Sequence, residues 1–158
     1  MAYDIVSLVP GFCESFVAGL PFEEGGIAFS DYIERPRMDY SIDSLLRLDQ
    51  YLQLLHTRRR EIEWQDQTNT VLAAGCYLGE VIRRNSELTF RWVNYHDHFP
   101  KYPQMMAVFP EGLGTCAVLV AEGHVTMPIN KIGRFIEEGP ENSTHFYALG
   151  EMKPRRRS

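Results

Sequence analysis

The chain is poor in cysteine: the three present, Cys13, Cys76 and Cys116, are odd in number, far apart and set among apolar neighbours. That pattern argues against a disulfide framework and predicts reduced thiols serving as small core residues in a reducing, cytoplasmic setting. No apolar run approaches the length of a membrane span, and no basic-then-apolar leader opens the sequence, because Asp4 interrupts its first apolar stretch. Positive charge is also in deficit. A net charge of −5 over 158 residues removes the electrostatic footprint on which nucleic-acid binding usually rests. Phosphate-loop, dinucleotide, HExxH, CxxC and G-x-S-x-G patterns are all missing, so no catalytic set, cofactor or metal is expected.

What is there is ordinary globular composition, 44% apolar and 23% charged, at a length close to the commonest domain size. A single domain is expected over residues 1–152, followed by a mobile basic tail over 153–158. The first forty residues are broken by Pro10, Gly11, Gly19, Pro21, Gly25, Gly26 and Pro36. They predict a short helix near 11–18 and otherwise loop wrapped on the core through Phe12, Phe16, Phe22, Ile27 and Phe29.

From Ser41 the period becomes helical. Ile42, Leu45, Leu48, Leu52 and Leu55 form one stripe, with Ser41 as N-cap and Arg58, Arg59 and Arg60 at the negative end of the helix dipole. A second helix is expected over Thr68–Asn85, where Ala73, Ala74, Gly75, Cys76 and Gly79 are small enough to admit a close neighbour. Three aromatic or β-branched runs, Thr89–Val93, Met105–Phe109 and Thr115–Val120, then read as strands, with Pro110–Gly114 as a hairpin turn and Val125–Met127 as a possible fourth strand. Pro128 opens a helix that Gly139 closes, and a last short helix follows Asn142. The order predicts an α+β fold: a helical hairpin packed on a small antiparallel sheet of three to four strands, with C-terminal helices.

Candidate chemistry is sparse. His96 and His98, on an extended segment, would share a face with Asp97 pointing away, but nothing completes a metal shell. Glu80 precedes Arg83 and Arg84 at intrahelical ion-pair spacing. The harder feature to dismiss is acidic: residues 1–49 carry nine acids against three bases. Glu23, Glu24, Asp31, Tyr32, Glu34, Asp39 and Tyr40 together offer carboxylates and rings suited to docking on a basic protein surface.

The run Ala73–Asn85 with Trp92 shortly after, and the later Met127-Pro128-Ile129 and Glu138–Ser143 segments followed by Phe146-Tyr147, resemble a family of small bacterial domains with a GxYLGEVIRR…W helix-to-strand signature. The resemblance covers roughly the second half of the chain and carries no assigned chemistry. It implies a non-enzymatic immunity protein whose partner is a cognate toxin with a basic active-site cleft. The alternatives are a small enzyme with a site near Glu80, His96 and His98, and a regulatory or structural subunit dimerising through Leu45, Leu48 and Leu52.

Overall fold

The computed structural model describes residues 4–153, so all but the first residue of the expected basic tail lies outside the described residues. A 3₁₀ turn leads into α1 (Val9–Ala18), which Gly19 ends at a positive φ of 76°. A long strap, residues 20–43, carries the chain to α2 (Ser44–Thr57) and α3 (Trp64–Asn85). Then follow β1 (Arg91–Asn94), α4 (Tyr95–His98), α5 (Pro103–Val108), β2 (Ala117–Ala121), β3 (His124–Thr126), α6 (Pro128–Glu138) and α7 (Thr144–Glu151). The described strands form one antiparallel sheet in the order β1-β2-β3, with Trp92 opposite Leu119 and Val120 opposite Val125. The fold is α+β, with a small sheet and helices closing the chain.

α3 is the axis of the molecule, nearly every side chain from Asn69 to Ile82 being buried. A helix enclosed on all sides must let its neighbours in, and the small residues do this. A Cβ at Gly75 would stand 2.7 Å from the Ile129 backbone, and one at Gly79 would fall inside the Trp92 indole. α1 and α6 therefore lie along α3, while α6 and α7 lie along α2. The stripe Leu45, Leu48, Leu52 is fully buried in this packing and is not available to a second copy. Ser41 is not the N-cap: α2 begins at Ser44 with Asp43 in the cap position and no side-chain cap bond, and the Ser41 hydroxyl instead accepts the Ser44 N–H at 3.1 Å in the turn ahead of the helix. The arginine run is absorbed locally. Arg58 forms a bidentate pair with Glu61 and covers Phe29, and Arg59 donates to the His56 carbonyl at 2.8 Å.

Two local expectations are corrected. Met105–Phe109 is not a strand but falls largely in α5, with Pro103 in its first turn. Met105 and Phe109 turn inward at four-residue spacing onto Val118, Tyr95 and Phe99, leaving Met106 and Val108 exposed. The sheet hairpin is not Pro110–Gly114, which joins α5 to β2. It is the two-residue turn at Glu122-Gly123, where Gly123 supplies the positive φ of 67°.

Candidate functional site

The strap is tied down by the polar side chains that open α3. Asp66 accepts the Gly26 N–H at 2.9 Å, Asn69 donates to the Glu24 carbonyl at 2.9 Å, and Thr70 accepts the Ala28 N–H at 2.9 Å. Tyr51, from α2, donates to the Ala28 carbonyl at 2.5 Å. These bonds explain why Asn69 and Thr70 are buried in an otherwise apolar helix, since buried polar groups persist when they are satisfied.

Beyond this stitching, the backbone does something rarer. Phe29 and Tyr40 are the two non-glycine residues with positive φ among those described, at 47° and 65°. Each ring is capped by a guanidinium, that of Arg58 just past the end of α2 at 4.3 Å over Phe29 and that of Arg84 in α3 at 3.7 Å over Tyr40. A bulky side chain in the left-handed region is costly and persists where its surroundings hold it. The intervening residues 30–39 are thus presented between two clamped aromatics, pinned from below by buried Ile33 and Met38.

The sequence-predicted contact residues divide accordingly. Asp31, Glu34 and Asp39 are exposed on this segment, and Tyr32 keeps 59% of its surface open. Tyr40 is not an exposed ring: it is half-buried, tilted at 34° against Tyr77 with ring centroids 4.9 Å apart, beneath Arg84. Glu23 and Glu24 are exposed but sit apart, at the start of α3. The face is not purely acidic, because Arg35 and Arg37 interleave with the acids and Arg47 reaches Glu34 at 3.8 Å. The Asp39 carboxyl is held below its ordinary value by bonds from the Ser41 hydroxyl and N–H.

The groups named for an enzyme have different neighbours, although His96 shares a groove with Cys116. Glu80 accepts from Arg83 Nε and Nη2 at 2.6 and 2.9 Å and from the Trp92 indole at 3.0 Å. Together with Gly79, it makes the GEVIRR…W signature a packing lock between α3 and β1. His96 and His98 are not on an extended segment: they occupy the single turn of α4 and point to different surroundings. His98 is buried, its ring 5.1 Å from that of Phe99 and 5.0 Å from that of Tyr102. Among the described residues no three His, Cys, Asp or Glu side chains gather as a metal site. The cysteines are unpaired. Burial raises every thiol, Cys13 to about 12 and Cys116 to about 11, leaving them protonated at neutral pH.

One surface was not read from the sequence. Trp64, Thr68 and Leu72 recur every four residues along α3 and form one wall of a groove of about 520 Å³, with Leu113, Cys116 and His96 opposite. The signal was there in Glu63-Trp64-Gln65, a tryptophan set among polar residues where no core was expected. On the far side of His96 lies a polar cleft of about 690 Å³ between Asp4, Arg91, Asp97 and Lys101. Asn94 shapes it by accepting the Ile5 and Val6 N–H groups at 2.8 and 3.0 Å.

The described residues thus form an α+β fold with a clamped segment of mixed charge and an open groove, and no described helix is long and apolar enough to cross a membrane. Comparison with family models, with curated proteins and with solved structures returned no match.

Proposed function

We propose that this chain is a non-enzymatic binding protein, an immunity protein of the cytoplasm that neutralises a toxin by laying segment 30–39 across its basic active-site cleft. The observation that carries the reading is the pair of clamped aromatics, Phe29 and Tyr40, on either side of that segment. A loop already held in shape loses little entropy on docking, which favours tight association. Exposed Tyr32 supplies the anchor and Asp31, Glu34 and Asp39 supply the steering charge. Tyr40 belongs to the clamp in this arrangement rather than to the contact. The negative net charge of the chain points the same way.

The test is titration calorimetry against the product of the adjacent gene, at low and at high salt. Binding is expected to weaken with salt, and the triple variant Asp31→Lys, Glu34→Lys, Asp39→Lys to lose on the order of 100-fold in affinity. A neighbouring product that is not toxic, or affinity untouched by the triple reversal, overturns the assignment.

A further inference from the structure

The groove beside Trp64 plays no part in the contact just described, and its chemistry is distinct. We infer that it is a binding site for a small amphipathic cation, a free amine with an aromatic or aliphatic body. At about 520 Å³ it lies within the size range of small-molecule sites, which are mostly apolar with a few placed polar groups. Leu72, Leu113 and Cys116 give the apolar wall, and the Cys116 thiol, raised by burial, stays neutral there.

Two features choose the charge of the ligand. Trp64 is 77% exposed and stands on the wall of the groove, so its ring is open to a guest. The guanidinium and ammonium groups that cover rings among the described residues lie over Phe29, Tyr40 and Tyr147, leaving the indole of Trp64 open to an outside cation. Tryptophan is the best cation acceptor of the aromatic side chains. The second feature is Glu111, which lines the groove and enters no ion pair among the described residues. No lysine or arginine lines the groove, and the His96 imidazole on its wall is itself 3.5 Å from the Asp97 carboxylate. An anion would meet the Glu111 carboxylate with no lysine or arginine to offset it, and a neutral guest could stack on the indole but would leave the Glu111 charge unmatched.

The test uses the full chain and three probes of one shape: phenethylammonium, 2-phenylethanol and 3-phenylpropionate, read by tryptophan emission and by calorimetry. Trp64→Phe removes the local fluorophore and separates its signal from that of Trp92, the other tryptophan. The ammonium is expected to bind with a dissociation constant on the order of a millimolar or tighter, and about fivefold more tightly than the alcohol. Glu111→Gln should erase that preference, and Trp64→Ala should weaken binding about tenfold. Both positions are exposed, so circular dichroism and melting should be unchanged in either variant. Equal binding of the three probes, preference for the propionate, or no saturable response to the ammonium overturns the inference. So does tighter binding of a capped Phe-Lys peptide, which would make the source a partner's lysine. None of these variants touches segment 30–39, so the outcome is independent of the toxin reading.

Discussion

Asp49, halfway along α2, holds the first turn of α7 through Thr144. One carboxylate oxygen accepts both the Thr144 N–H at 2.7 Å and its hydroxyl at 2.6 Å. The other accepts the Ser143 hydroxyl at 2.6 Å. A carboxylate from one helix thus caps another, meeting backbone donors that would otherwise lack partners at a positive helix end. Asp49→Ala is expected to cost about 2 kcal/mol, because it leaves the buried Thr144 unsatisfied. Urea unfolding checks this, with the midpoint lowered and the slope unchanged. A variant as stable as the parent would show that the cap contributes nothing net.

Gly79→Ala tests the lock between α3 and β1. Helix propensity alone would favour alanine by about 1 kcal/mol, but the new methyl would collide with the Trp92 ring and meet Pro128. Overpacking of a close contact typically costs about 1–3 kcal/mol, so the net effect should be a loss, accompanied by altered Trp92 emission. Gly11, with open space around its Cβ direction, serves as the control: Gly11→Ala should stabilise or be neutral.

Acid should weaken the fold in two windows. Burial, with help from Lys101 and Arg91, holds the His98 imidazole below its ordinary 6.5, and its Nε2 is buried without a partner. The folded state therefore prefers neutral His98. Stability from this source is present above 6.5 and lost as the pH falls through the lowered folded value. At Glu80 burial acts to raise the carboxyl, but the bonds from Arg83 and Trp92 and the charges of Arg83 and Arg84 outweigh it and hold the group below 4.5. Its contribution is present above 4.5 and lost as the pH falls through the lowered value. His98→Phe should flatten the first window only, and Glu80→Gln the second only. Melting temperatures across the acid range read both, and a His98→Phe profile parallel to the parent between about pH 7 and 5 would refute the first assignment.

How far the sequence could be read differs by element. The stripe of α2, the glycines of α3 and the Pro128-to-Gly139 bounds of α6 were legible because each writes its burial into local spacing. Met105–Phe109 misled because a short apolar run fits strand and helix alike. The side chains chosen inward, Met105 and Phe109, were decided by the sheet residues they cover. The acidic residues of the strap were visible, but their arginine neighbours from α2 and α3 were not.

By itself, the amino-acid order determined the α+β class, the positions of the main helices and the unpaired state of the thiols, since these follow from period, capping residues and composition. Tertiary structure alone decided which rings stand open: it sank Tyr40 under Arg84, left Tyr32 and Trp64 exposed, and brought Asp49 to Thr144 across 95 residues of chain. The reason is range. Periodicity reports what a residue's near neighbours bury, whereas exposure and partnership depend on side chains that only folding brings alongside.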